Sequence, residues 1–243
     1  MLSSLSHIFV QDKLSLELLN ELGFHNNNIS LAGDTRIDRV AEIATREINI
    51  PEIEQFLSGS KAFIGGSIYD IENKFIYNAF KNNKIEGKII LAPHQVDKGH
   101  IQKIADVWGS NAVLLSEPDK HRSSEQKVLI IDSVGILSRI YKYGTVALIG
   151  GGFGAGIHNT LEPAVFGIPI IFGPDYHKFM EAKDMIAGGA AFSFENEAGL
   201  SEILNNLKNE LTAAKAGKAA EDFIESNKGG TQKIINWLNE NGN

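Results

Sequence analysis

The sequence predicts an α/β fold with a Rossmann-like parallel sheet covered by helices on both faces. Short apolar runs alternate with longer segments of helical period along almost all of the 243 residues. Such alternation is typical of parallel strands connected by helices. Several apolar runs also end at turns rich in glycine, proline or histidine, and the carboxyl ends of strands are where sheets of this kind bind ligands.

The first 51 residues predict two short strands, Ile8–Val10 and 29–32, with a helix over 12–22 between them. Gly23 follows that helix and is suited to a left-handed cap. A polar helix is predicted from about residue 37 to residue 47, and Pro51 predicts a break.

From residue 62 onward strands and helices alternate regularly. A helix after residue 67 is expected to place Ile71, Phe75 and Ala79 on one face. A charged loop between two of the later strands is expected to be mobile. The remaining strands are predicted at 62–64, 88–92, 112–115, 128–131, 146–149, 170–172 and 191–194, and the helices at 98–107, 134–143, 160–166, 176–186, 197–208, 211–226 and 231–240.

Composition argues against several classes of function. The formal net charge is -7 and there are no cysteines, so a grip on nucleic acid, a disulfide framework and a cysteine-based zinc site are not expected. No window reaches the ~20 apolar residues that a membrane-spanning helix requires. No set of His, Asp and Glu shows metal-ligand spacing on a single element, so neither a metal nor another cofactor is expected.

The segment from 146 to 175 carries the chemistry. A strand runs into a glycine loop, residues 150–156, which contains five glycines and precedes a helix expected to begin near Asn159 or Thr160 and to end at Gly167. Glycines let a ligand approach the backbone, and free amides at a helix N-terminus favour an anion. The pattern predicts a phosphate site.

Glu162 is the carboxylate in the first turn of that helix, and two roles are open to it. It could complement the helix dipole, or it could accept hydrogen bonds from a ribose diol, and the preceding glycine loop favours the ribose. The loop also loosely matches a dinucleotide fingerprint, with Asp175 further on. That match is weak, because the fingerprint belongs to the first strand–helix turn of its domain.

These residues resemble the signature of bacterial 3-deoxy-D-manno-octulosonic acid (Kdo) transferases. The resemblance combines the glycine loop with His158-Asn159-Thr160-Leu161-Glu162-Pro163-Ala164 and, further on, Gly167-Ile168-Pro169 and Phe172-Gly173-Pro174. Four other segments agree with the family in the same order: 33–40, 65–67, 92–94, and Asp132-Ser133-Val134-Gly135 followed by Leu137 and Tyr143.

The resemblance implies the C-terminal half of a two-domain GT-B glycosyltransferase. Such an enzyme moves Kdo from CMP-Kdo to a lipid A precursor in lipopolysaccharide biosynthesis, at the cytoplasmic face of the bacterial inner membrane. Residues 1–40 would be the tail of the N-terminal domain and the linker, and residues 41–243 the donor-binding domain. In the family the catalytic base, the membrane anchor and the acceptor site belong to the N-terminal domain. No catalytic residue is therefore expected here, and the chain alone is expected to be inactive.

The resemblance also assigns donor-binding residues and leaves alternatives. Asn159 and Glu162 would hold CMP, and His158 would either contact the donor or support the glycine loop. Asp34, Arg36, Asp38 and Arg39 could form a hinge or an ordinary charged helix start. The alternatives to a Kdo transferase are a fragment similar to a UDP-sugar epimerase and a non-catalytic module that binds nucleotide sugars. The remaining donor-binding residues would be Gly66 and Ser67 near the phosphate or sugar acid, Pro93 and His94 beside the nucleotide, and Gly152, Gly154 and Gly156 in the loop.

Overall fold

The computed structural model describes residues 5–24, 28–46, 49–117, 126–154 and 156–241. The strands are β1 (Ile8–Val10), β2 (Ile29–Leu31), β3 (Ala62–Ile68), β4 (Lys88–Pro93), β5 (Ala112–Leu114), β6 (Val128–Ile130), β7 (Gly144–Ile149), β8 (Ile170–Phe172) and β9 (Ala191–Ser193). The helices are α1 (Lys13–Glu21), α2 (Thr35–Thr45), α3 (Pro51–Leu57), α4 (Asp70–Lys81), α5 (Lys98–Trp108), α6 (Leu137–Ile140), α7 (Leu161–Ala164), α8 (Met180–Ala187), α9 (Glu197–Leu207), α10 (Glu210–Asn227) and α11 (Gly230–Asn241).

Seven of these strands form one sheet in the order β5-β6-β4-β3-β7-β8-β9, and all of its pairs are parallel. On one side of β3 the strands lie in the order β4, β6 and β5. The chain forms these three strands first and then returns to the other side of β3 as β7. The strand order therefore reverses between β3 and β7, and a ligand crevice is expected outside the carboxyl ends of these two strands. The predicted fold class is confirmed.

The core lies in two layers, one on each face of the sheet. Alternate residues of a strand point to opposite faces, so Ile90 packs in one layer and Ile89 and Leu91 in the other. All three side chains are fully buried. This burial on both faces explains why the strands read as continuous apolar runs.

The strands β1 and β2 form a separate two-stranded parallel sheet. Their connection, α1, buries none of its residues; Leu14 and Leu18 on this helix and Leu22 directly after it are exposed. In contrast, Ile37 and Val40 of α2 belong to the core of the main sheet. The domain boundary at residue 40 stays a prediction.

One observed helix, α3, was not predicted, and two predicted helices differ in extent from those observed. Pro51 opens α3 at its first turn rather than breaking the chain, because that position needs no amide hydrogen. The helix predicted over 134–143 consists of α6 followed by a 3-10 turn at Tyr141–Tyr143, and Val134 precedes it with 78% of its surface exposed. The helix predicted from residue 176 begins at Met180.

Two further predictions about local structure were wrong. The strand β3 continues through Gly65 and Gly66 to Ile68 instead of ending before the glycines. In α4 the buried face carries Asn73, Ile76 and Ala79, whereas Ile71 is exposed. The loop predicted to be mobile, between the strands predicted at 112–115 and 128–131, lies mostly outside the described residues, which omit 118–125. Across the part of the chain that is described, no helix combines the length and apolarity needed to cross a membrane.

Candidate functional site

The segments that follow β3, β4 and β7 meet at the point where the strand order reverses. At the end of β3, Ser67 has a φ of 52°, a left-handed conformation that is uncommon for a residue other than glycine and that often marks a ligand site. The amide of Gly150 donates to the carbonyl of Gly66 at 2.9 Å, and the amide of His94 donates to that of Ile68 at 2.9 Å. These bonds hold the three segments against one another.

Gly66 has a packing role that the sequence did not suggest. A Cβ atom at this position would overlap the hydroxyl of Tyr141, a side chain that is fully buried in the core. The neighbours of Gly66 across the sheet are Ala92 and Ile149. The glycine is therefore required by packing within the fold, and its contact with a donor stays a prediction.

The glycine loop is packed tightly against the protein at two of its three predicted donor positions. A Cβ on Gly152 would lie 2.6 Å from the amide nitrogen of Gly173. Gly156 has a φ of 90°, and a Cβ there would lie 3.1 Å from the ring of Phe179. Gly154 is exposed, and a Cβ on it would meet no atom within 4 Å. Of these three glycines, Gly154 is the one that faces open space.

The helix after the loop is shorter than predicted. It spans four residues rather than seven: Val165 and Phe166 form a turn, and Gly167 follows in a left-handed conformation with a φ of 63° before the chain enters β8. So short a helix has little macrodipole, and the expected contribution of a helix N-terminus to an anion site does not hold. Asn159, not Thr160, supplies the capping oxygen, which accepts from the amide of Leu161 at 3.0 Å.

Glu162 is half-buried in this turn. The Asn159 amide group donates to its carboxylate at 3.1 Å. Burial raises the pKa of Glu162, while the bond from Asn159 and the charge of Arg39 on α2 oppose that rise. Burial also raises the pKa of Tyr141 well above its ordinary value, and the nearby Glu162 adds to the rise. Glu162 therefore does not have the solvated surroundings of a carboxylate that only complements a helix dipole.

Three rings form a stack at the ends of β3, β4 and β7. The ring centroids of His94 and His158 are 4.5 Å apart, and those of Tyr69 and His94 are 4.8 Å apart. The Tyr69 hydroxyl lies 3.1 Å from Nε2 of His158. Burial and the adjacent His94 lower the pKa of His158, which favours its neutral form. The backbone amide of His158 donates to the carbonyl of Gly150 at 3.1 Å, so His158 contacts the start of the loop, and its contact with a donor stays a prediction. Pro93 brings His94 here as the last residue of β4.

Four residues of this region were not found from the sequence. Tyr69, Glu72, Tyr141 and Phe179 are separated along the chain from the residues that they meet here. Glu72 bonds to Gly151 and Phe179 lies beside Gly156, whereas Tyr69 lies beside His158 and Tyr141 beside Gly66. Only Glu72 carried a usable signal, because an acidic residue at the third position of a helix commonly bonds back to the start of that helix.

Three charged residues at the start of α2 bond to other parts of the protein. Asp34 caps α2 by accepting from the amide of Arg36 at 2.9 Å. The Arg36 guanidinium pairs with Asp34 at 2.7 Å and with Glu181 of α8 at 2.9 Å. Asp38 accepts from the amide of Thr231 at 2.6 Å. The ordinary capping role is thus present, and a hinge role stays a prediction.

Within the described ranges, no group of three or more His, Asp or Glu side chains is arranged to hold a metal ion.

Comparison with known proteins places this geometry in context. No family model matches the chain. The chain is 34% identical over 168 residues to the 3-deoxy-D-manno-octulosonic acid transferase of Aquifex aeolicus, covering 67% of the chain and 45% of that relative. It is 27% identical over 248 residues to the transferase of the same name from Rickettsia felis, covering 96% of the chain and 50% of that relative. The chain therefore spans about half the length of these curated relatives.

Solved structures share the fold. The C-terminal CMP-Kdo binding domain of WaaA from Acinetobacter baumannii superposes with a TM-score of 0.55 at 18% identity, over 75% of this chain and 96% of that domain. A putative UDP-N-acetylglucosamine 2-epimerase from Listeria monocytogenes superposes with a TM-score of 0.64 at 16% identity, over 93% of this chain and 56% of that one. At these identities the structures support the fold alone. The chain is thus related in sequence to the Kdo transferases, as its motifs predict, over a segment equal to about half of those proteins.

Proposed function

We propose that the chain binds CMP-Kdo at the switch point between β3 and β7, as the donor-binding part of a glycosyltransferase that transfers Kdo to a lipid A precursor in lipopolysaccharide biosynthesis. The observation that carries the proposal is the meeting of the glycine loop, the end of β3 and the half-buried Glu162 at the place where such sheets bind nucleotides. The sequence relationship to Kdo transferases supports CMP-Kdo as the donor.

The proposal gives a partner to the ribose and to the phosphate or sugar acid of the donor. The carboxylate of Glu162 is a strong acceptor for the two hydroxyls of a ribose, and Asn159 orients it. The exposed Gly154 and the left-handed Ser67 are proposed to meet the phosphate or the sugar acid. His94, which stacks on His158, is proposed to lie beside the nucleotide.

The proposal also covers the acceptor of the reaction. In it, a lipid A precursor and the catalytic base reach the donor from an N-terminal domain, of which residues 1–40 form the tail and linker, and transfer occurs at the cytoplasmic face of the inner membrane. The exposed Leu14 and Leu18 of α1 support a second domain, because a helix normally packs its apolar side chains against the rest of the protein.

Isothermal titration calorimetry with CMP, UDP and NAD distinguishes the candidate functions. We expect CMP to bind most tightly. Preference for UDP would favour the epimerase-like alternative, to which one similarly folded structure draws attention, and preference for NAD would favour a dehydrogenase. Tight CMP binding without Kdo transfer by a full-length protein would favour the non-catalytic module.

Binding of CMP is expected to need no divalent cation. CMP carries a single phosphate, whose charge backbone amides and an imidazole can meet without a metal ion. The measurement is the CMP dissociation constant in EDTA and in millimolar Mg²⁺ or Mn²⁺. Affinity that disappears in EDTA and returns with the metal would contradict this prediction.

Substitution of Gly154 by Val is expected to weaken CMP binding and leave the protein folded. A Cβ at this exposed position meets no protein atom, so the free energy of unfolding should change by no more than about 1–2 kcal/mol. The matched variant is Gly152→Val, whose side chain would meet the backbone of Gly173 and should lower the thermal unfolding midpoint. Full CMP affinity in Gly154→Val would place the donor elsewhere.

A further inference from the structure

The carboxylate of Glu72 joins the two loops that flank the switch point. Glu72 is the third residue of α4 and has only 1% of its surface exposed. One carboxylate oxygen accepts from the amide of Tyr69, directly after β3, at 3.0 Å. The other accepts from the amide of Gly151, in the glycine loop after β7, at 2.9 Å. A single buried side chain therefore bonds to the backbone on both sides of the proposed donor site.

The helix explains only one of these bonds. A glutamate at the third helical position commonly reaches back to the amide at the start of its own helix, and the bond to Tyr69 is of this kind. That role requires one oxygen and leaves the side chain near the surface. The bond to Gly151 crosses 79 positions of sequence and places the carboxylate in the interior, where burial raises the pKa of Glu72.

The glycine loop is closed on itself next to the bond to Gly151. Gly151 has a φ of 91°, and the space that a Cβ would need there is occupied by the carbonyl of Gly156. The first and last parts of the loop are therefore in contact, and the exposed Gly154 lies between them. Since the Gly151 amide points inward to Glu72, it anchors the loop and leaves the turn around Gly154 to face outward.

We propose that Glu72 is a positioning residue of the donor site. Its carboxylate sets the distance between the end of β3 and the glycine loop, across which the phosphate of the donor is proposed to lie. The inference rests on the proposed function. Glu72 acts through the backbone of Tyr69 and Gly151 and needs no contact with the donor.

The test is the variant Glu72→Gln, studied by CMP calorimetry and by amide hydrogen exchange. Glutamine keeps the size of the side chain and one acceptor oxygen, but its amide group would face one of the two backbone amides as donor against donor. We expect CMP binding to weaken about tenfold and exchange at the Gly151 amide to accelerate at least about tenfold, as is usual when a buried hydrogen bond is lost.

The control is Asp70→Asn, which removes the same charge from the same helical turn. The Asp70 side chain is 68% exposed, so both readouts should stay within about twofold of the original protein. Equal loss of affinity in the two variants, or full affinity in Glu72→Gln, would overturn the proposal. Failure of the original protein to bind CMP would contradict the proposed function instead. In that case the rate of amide exchange at Gly151 would show by itself whether Glu72 holds the glycine loop.

A folding defect is distinguished with Glu72→Asp, which keeps the charge and withdraws the carboxylate by one methylene group. We expect a folded protein with fast exchange at Gly151 and weakened CMP binding. Unfolding of both Glu72→Gln and Glu72→Asp would show that Glu72 is required for the fold as a whole, and the positioning role would be rejected.

Discussion

The 243-residue chain is expected not to transfer Kdo when it is assayed alone with CMP-Kdo and a lipid A precursor. Transfer requires an acceptor hydroxyl held against the anomeric carbon and a base within roughly 2.6–3.2 Å of its proton. The proposed donor site occupies one edge of a single sheet. Positioning of the acceptor can supply about 7–11 kcal/mol of the barrier, so its loss is the largest effect expected here.

The assay compares the chain alone, the chain joined to the N-terminal half of the Aquifex aeolicus relative, and that relative itself as the positive control. Turnover that depends on the joined half would support the proposed division of labour. A rate for the chain alone that is comparable to the rate of the joined protein would contradict the prediction. It would show that this chain itself binds the acceptor and supplies the base.

Substitution of Glu162 by Ala is expected to weaken CMP binding by about 1.5–3 kcal/mol, the range for charge-assisted hydrogen bonds to a buried diol. The measurement is calorimetry on a variant shown to be folded by its thermal unfolding. The matched control is Glu210→Ala, which removes a first-turn carboxylate from the exposed start of α10. Unchanged affinity in a folded Glu162→Ala variant would contradict the ribose role.

A comparison of the original protein with Glu162→Ala across a range of pH tests the same role. Burial raises the pKa of Glu162, so its ionised form is lost at a higher pH than that of an ordinary glutamate. If the ionised carboxylate holds the ribose, CMP affinity should decline as the pH falls through that raised pKa, and the decline should be absent in Glu162→Ala. Because His158 and the CMP phosphate also titrate, the quantity to compare is the difference in pH dependence between the original protein and Glu162→Ala.

Prediction of the fold succeeded where a repeated pattern carried the information. The apolar runs at 88–92, 146–149 and 170–172 correspond to β4, β7 and β8 within two residues at each end. Strands buried on both faces are apolar at successive positions, so each run marks its strand directly. Prediction failed where a single residue had two local readings. Pro51 can end a segment or open a helix, and packing of Ile53 and Phe56 into the core decides for the helix.

Several glycines show the same division at the site. The number and spacing of glycines at 150–156 indicated close approach of some other group, but the sequence could not say which group. At Gly152 and Gly156 the neighbours are Gly173 and Phe179 of the protein itself, while Gly154 faces open space. These neighbours come from segments that the chain reaches only after β8, so local sequence carries no signal for them.

By itself, therefore, the sequence determined the fold class, the run of elements, the relationship to Kdo transferases and the turn that carries Asn159 and Glu162, because each depends on residues that are near one another along the chain. The tertiary structure alone decided the reversal of strand order between β3 and β7, the stack of Tyr69, His94 and His158, and the bond from Glu72 to Gly151. Those features join segments far apart in sequence, and only the packing of the sheet and its helices brings them together.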